Sequence, residues 1–243
     1  MFNIGVNWAP SKITIREASI HFLGVLKALS EIDQLFSTPV FSKDNQKDVS
    51  FLIRETSDDE AVSLISSTIL NFSKYDIRKY EKEQNPTVEY SRDFGFSFVL
   101  SYKENDQELS FVPRIGSAEA CGMNVLSCRG IDMTFSWSYN LLRALVLGSN
   151  AIRGVVGIRD LPFQKACKNV AAPLGWITYF SNDFKPEVPN DLEGIEYEYT
   201  DKGKYLILTR EDFTTDKETY EAHKEKLFSL MEEIKQRVPE YSK

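Results

Sequence analysis

Leu174-Gly175-Trp176-Ile177-Thr178-Tyr179-Phe180 is apolar on both of the faces that a period of two defines. Leu174, Trp176 and Phe180 share one face, and Ile177 and Tyr179 share the other. A strand that is apolar on both sides must be covered on both sides, which places it in the interior of a sheet. Trp176 and Tyr179 are therefore expected to be core residues. Gly175 offers no side chain, which marks a bulge or the close approach of another backbone. Pro173 bounds the run on one side and Ser181-Asn182-Asp183 on the other.

Beyond this strand, residues 183–194 read as a long loop holding Pro186 and Pro189. Ile195, Tyr197 and Tyr199 then alternate with Glu196 and Glu198, the pattern of a strand with one wet face. Asp201-Lys202-Gly203 reads as a three-residue hairpin turn with glycine in the left-handed position, and Tyr205 to Leu208 as the return strand. Thr215 and Glu218 have capping-box spacing before a last helix that aligns Tyr220, Leu227, Met231, Ile234 and Val238.

Ahead of it, residues 163–169 suggest a short helix, and Val155, Val156 and Ile158 a strand. Phe135 to Leu147 is apolar nearly all round, as in a helix buried between other elements, with Gly148 placed as its C-terminal cap. Residues 116–133 are rich in small side chains, with a short strand at Val125 and Leu126. Phe94, Phe96, Phe98, Leu100 and Tyr102 form the clearest alternation in the chain. A turn at Glu104-Asn105-Asp106 leads to a partner strand at Leu109, Phe111 and Val112, and Pro113 should end that strand or put it at an edge.

The N-terminal third holds two more capping-box pairs, Thr14 with Glu17 and Ser57 with Glu60. The first opens a helix whose stripe is Ala18, Phe22, Val25, Leu26 and Leu29 and which ends near Glu31. The second opens a helix through Val62, Ile65, Ile69, Leu70 and Phe72, toward Tyr80. Before them lie a strand of residues 2–8 and a second strand of Val49, Phe51 and Ile53. Hairpins outnumber β-α-β units, so the fold class is α+β, a mostly antiparallel sheet packed by helices. The chain reads as one domain, 1–243, whose halves hint at lobes of about 1–115 and 116–243, without an internal repeat.

A net charge of −7 disfavours direct binding to nucleic acid, which a basic face would support. Cys121, Cys128 and Cys167 are odd in number and irregular in spacing, so thiols in a reducing compartment are expected rather than disulfides. No apolar run reaches the roughly 18 residues of a membrane span, and Met1-Phe2-Asn3-Ile4 begins as a strand, not a signal peptide. A cytoplasmic protein is the expectation.

Chemistry is hard to find. His21 and His223 belong to no metal pattern, and the spacing of Cys121 and Cys128 is not that of a zinc knuckle. Gly148, Gly154 and Gly157 match neither the P-loop nor the dinucleotide fingerprint. Among 36 acidic residues, paired carboxylates arise by chance. No catalytic residue, metal or cofactor is therefore assigned. One charge pattern stands out: Asp183, Glu187, Asp191, Glu193, Glu196, Glu198 and Asp201 are opposed only by Lys185 within residues 183–201. This is a solvated loop and strand face or a surface for a basic partner, and Glu187, Asp191, Glu193, Glu196 and Glu198 are its candidate contacts.

Gly175-Trp176-Ile177-Thr178-Tyr179, a proline-containing loop, the hairpin with Gly203 and Tyr205-Leu206-Ile207-Leu208-Thr209 follow in an order that resembles the C-terminal half of the immunity protein 52 family. Asn7-Trp8, Arg16-Glu17, Leu26, Leu29, Ile32-Asp33 and Phe36 resemble that family's opening. Residues 40–120 add little, and Ala9-Pro10-Ser11-Lys12 departs from the family's tighter polar run, so no role carries over to Arg16. The resemblance implies an antidote of a bacterial polymorphic toxin system, encoded beside its toxin. Such toxins are often restriction-endonuclease-like nucleases, and many travel by type VI or related secretion. It implies a protein without catalysis of its own that binds a cognate toxin. The rival readings are a small α+β hydrolase or transferase using scattered carboxylates, and a subunit of a structural assembly.

Overall fold

Alternation and capping build the elements that the computed structural model shows for residues 2–10, 13–42, 47–72, 95–116, 121–158, 172–212 and 217–241. The fold is α+β, with four helices and eleven strands among the described residues, in a mostly antiparallel sheet. The residues group into two units, one of Met1–Ile4, Asp132–Leu142 and Ile152–Lys243, the other of Gly5–Ile131 and Arg143–Ala151.

In the second unit, β1 (Phe2–Trp8) contributes its end from Gly5 onward. From it the order runs through β7 (Cys121–Arg129), β6 (Gln107–Ile115), β5 (Val99–Glu104), β2 (Val40–Ser42) and β3 (Val49–Ser50), with β4 (Phe96–Ser97) also on β6. Helix α1 (Ile15–Ser30) starts at a complete capping box, in which Thr14 and Glu17 satisfy each other's backbone N–H groups. Its apolar stripe is buried as expected, with Ala18, Phe22, Val25, Leu26 and Leu29 all fully enclosed. Helix α2 (Asp58–Phe72) has half of the expected box: the Glu60 N–H donates to Ser57 Oγ at 3.4 Å.

Four readings of this region change. Pro113 does not end β6. The strand runs on to Ile115, with Pro113 paired to Met123 of β7. The missing N–H shows on the other side. The register of Leu100↔Phe111 and Phe96↔Ile115 sets Pro113 against Phe98, and there the ladder breaks, splitting one expected strand into β4 and β5. The short strand at Val125 and Leu126 is a nine-residue β7, where Leu126 is the extra residue of a bulge between the pairs Ser110↔Ser127 and Phe111↔Val125. The second strand is confined to Val49–Ser50, and Ile53 instead donates its N–H to Ser37 O at 3.0 Å.

The fourth is helix α3 (Phe135–Ser149), which is not buried all round: Ser136, Asn140, Arg143 and Leu147 form an exposed stripe. Nor is Gly148 its cap. Asn150 takes the left-handed conformation at φ 49°, and the Ala151 N–H closes onto Val146 O at 3.1 Å, a Schellman arrangement. Gly148 is needed where α3 meets α1, since a Cβ there would lie 2.8 Å from Val25 Cα and 2.9 Å from Gly24 O.

In the first unit the order is β10 (Glu196–Thr200), β11 (Gly203–Ile207), β9 (Ile177–Ser181), β8 (Arg153–Ile158) and the start of β1. Strand β9 is interior, and every residue of 174–180 is buried. Trp176 is fully enclosed and donates from Nε1 to Thr209 O at 2.9 Å, while the Tyr179 hydroxyl donates to Lys202 O at 3.1 Å. Gly175 marks a close approach: a Cβ there would sit 2.3 Å from Val156 O. Helix α4 (Lys217–Arg237) buries Leu227, Leu230, Met231 and Ile234, while Tyr220 and Val238 are only half-buried.

The hairpin turn differs from its sequence reading. Thr200 pairs with Gly203, so the turn is the two residues Asp201 and Lys202. Gly203 is not left-handed. It is glycine because β9 crowds it, with Phe180 O 2.2 Å from where a Cβ would be. The expected helix at 163–169, Cys167, Phe94, Thr215 and the extension of α2 toward Tyr80 lie outside the described residues.

Candidate partner-binding site

The acidic run folds into the loop before β10 and β10 itself, all within the first unit. Two buried side chains, Val188 and Leu192, pin the loop. Its backbone is tied down by three polar groups from outside it. The Leu192 N–H donates to the Tyr197 hydroxyl at 2.8 Å, and that hydroxyl donates to Pro189 O at 3.2 Å. The Lys204 ammonium donates to Val188 O and Asn190 Oδ1, and the Lys226 ammonium to Gly194 O at 2.6 Å. Burial lowers the Lys204 pKa from its ordinary value, with the Glu187 charge opposing that shift.

The five candidate carboxylates separate into two kinds. Glu196 and Glu198 share one face of β10, as neighbours two apart must, and one guanidinium holds both. Arg210 Nε donates to both Glu196 oxygens at 2.9 Å, and its Nη2 reaches Glu198 Oε2 at 3.3 Å. The Tyr139 hydroxyl also donates to Glu198, and the Phe135 ring lies 5.5 Å below the guanidinium. The Arg210 hydrogen bonds hold the Glu196 carboxyl below the ordinary carboxylate range. Asp191 is bound by Arg237, which also donates to Glu233 at 2.8 Å. Both partnerships raise the Arg237 pKa. Glu187 and Glu193 are exposed, and among the described residues no ion pair engages either.

Counting charge along the chain therefore missed the cations that folding brings in. Arg210 had a signal, since a hairpin returns the segment after β11 alongside the start of β10. Arg237 stands 46 residues from Asp191 on a separate helix and had none. Acid still exceeds base, because each of these guanidiniums is shared by two carboxylates.

On the opposite face of β10, Tyr197 and Tyr199 stack at 6.2 Å. Tyr199, Lys204 and Phe180 are cross-strand neighbours on β10, β11 and β9. With Phe184, Lys185 and Glu187 they line a cavity of about 220 Å³. Glu187 is the one carboxylate among its lining residues, beside the ammonium groups of Lys185 and Lys204. Among the described residues no cluster of His, Cys, Asp and Glu is arranged to hold a metal, and no helix is long and apolar enough to cross a membrane. His21 packs on the Trp8 ring at 5.0 Å, and burial lowers its pKa. His223 is half-buried on α4, Cys121 is buried in β7, and Cys128 is exposed there.

The chain matches no protein-family model and no curated protein. Among solved structures it is similar to a chain described as Pseudomonas aeruginosa T6SS protein PA0821, at 8% identity and a TM-score of 0.46, over 96% of this chain and 76% of that one. A likeness of that size carries no functional argument. The resemblance to the immunity protein 52 family rests on the residues quoted for it. Gly175 to Tyr179 and Tyr205 to Thr209 are joined through the β9–β11 ladder and the Trp176–Thr209 hydrogen bond.

Proposed function

We propose that this chain is a toxin-neutralising immunity protein. It binds and inhibits a cognate bacterial toxin, a basic nuclease delivered by a secretion system, in the cytosol of the cell that makes both. It performs no catalysis itself and needs no cofactor. The observation that carries this reading is the paired sharing of Arg210 and Arg237 by carboxylates, which fixes an acidic surplus in place on an exposed surface. Side chains already ordered lose little entropy on binding, and a complementary charged surface speeds encounter and sets orientation. Glu187, Asp191, Glu193, Glu196 and Glu198 are its contacts. A nuclease must carry positive charge where it grips phosphate, and an acidic surface competes for that same charge.

Co-expression with the product of the adjacent gene tests the proposal. The expected result is a complex that survives gel filtration, loss of the partner's nuclease activity on complex formation, and rescue of growth. No complex and no rescue would overturn it.

A further inference from the structure

Among the described residues, strand β10 ends the strand order, paired on one side to β11. The two-residue turn makes Thr200↔Gly203 the first bonded pair, so in an antiparallel ladder Glu198 and Glu196 also bond inward. The N–H and C=O groups of Tyr197 and Tyr199 then face away from β11. Among the described residues no backbone hydrogen bond outside the sheet ladders reaches them. Short edges protect themselves by length, and longer ones by charge or cover. The five residues of β10 carry charge on one face only, and Tyr199 on the other is 61% exposed.

We propose that β10 is a strand-pairing site. It takes an extended basic segment of a partner protein as an added antiparallel strand, with alternate side chains basic and apolar. This deepens the immunity reading above and rests on it for the partner's identity. Pairing sets residues of the added strand opposite Glu196 and Glu198 on one face, and opposite Tyr197 and Tyr199 on the other. Lysine or arginine meets the two carboxylates that share one guanidinium. An apolar side chain on the other face lies beside Tyr199 and the cavity that this tyrosine lines with Phe180 and Phe184. A second copy of this chain fits badly. Antiparallel pairing of β10 with itself sets Glu196 against Glu198, or Glu198 against its own copy, and like charges directly opposite are destabilising.

The test titrates the nitrogen-15-labelled full chain with a short synthetic peptide of alternating lysine and valine. The expected result is amide shifts and slowed hydrogen exchange at Tyr197 and Tyr199. Binding should weaken about tenfold or more when alternate peptide amides are methylated, because two backbone hydrogen bonds are lost. Tyr199→Pro, which removes an outward N–H and leaves the β11 ladder intact, should do the same. No binding, equal binding of the methylated peptide, or shifts centred elsewhere would overturn the proposal. The two readings fail separately. Peptide binding at β10 with no complex from the adjacent gene product removes the immunity reading. A complex in which the Tyr197 and Tyr199 amides exchange as in the unbound chain removes the strand-pairing site.

Discussion

Strands β9 and β10 are both five residues long and both carry aromatic side chains, yet among the described residues one is interior and the other ends the strand order. Strand β9 is paired on both sides and buried on both faces. Strand β10 is paired on one side and alternates glutamate with tyrosine. Aromatic content alone therefore says nothing of burial. What separates them is the polar residue beside the tyrosine: Thr178, whose hydroxyl accepts from the Gly175 N–H at 2.9 Å, against Glu198, which water and Arg210 must satisfy. Tyr179 and Tyr199 make the contrast concrete, at 2% and 61% exposure.

The contrast should show first in stability. Trp176→Ala removes a fully enclosed indole and its hydrogen bond, and should cost roughly 3–5 kcal/mol by chemical denaturation. An unchanged midpoint with partner binding lost would move Trp176 from the core to the interface. Gly175→Ala forces a Cβ against Val156 O and should cost about 1–3 kcal/mol, measured in the same way. Tyr199→Ala, in the open strand, should shift stability by no more than about 0.5 kcal/mol. A loss as large as that of Trp176→Ala would erase the distinction between the strands.

The smallest effect is electrostatic. Arg210 holds the folded-state pKa of Glu196 below its ordinary 4.5. The pairing therefore contributes stability above the unfolded value, and that contribution is lost as pH falls through the folded one. The carboxylate is solvent-facing, so the gain is small and salt-screened. Arg210→Gln should flatten the acid side of the stability profile below about pH 4.5 at low salt. A profile identical to that of the unmodified chain would show that the pair is energetically silent.

Much of this was legible in the residues. The two-sided apolar run placed β9 in the interior, the Thr14–Glu17 spacing produced a complete capping box, and the 2–8 alternation buried Ile4, Val6 and Trp8. The α+β class followed from hairpins. What stayed hidden depends on neighbours distant in sequence. Gly148 and Gly203 read as turn glycines but are glycines because another backbone passes within contact. Pro113 read as a terminus because its sequence cannot show that the missing N–H falls at a break in the partner strand. For the candidate site, the run of acids and the common face of Glu196 and Glu198 were visible. Arg237, Lys204 and the cavity beside Tyr199 were not, since they come from other elements.

On the proposed function, this acidic surface meets a basic partner. Glu187 and Glu193 test it most directly, because reversing them breaks no ion pair among the described residues. Stopped-flow association of the Glu187→Lys, Glu193→Lys double variant with the adjacent gene's product, at low and high salt, is the measurement. Association should be roughly tenfold slower than for the unmodified chain at low salt, narrowing to about twofold at high salt as screening shortens the reach of charge. Equal rates for the two proteins at low salt would contradict it.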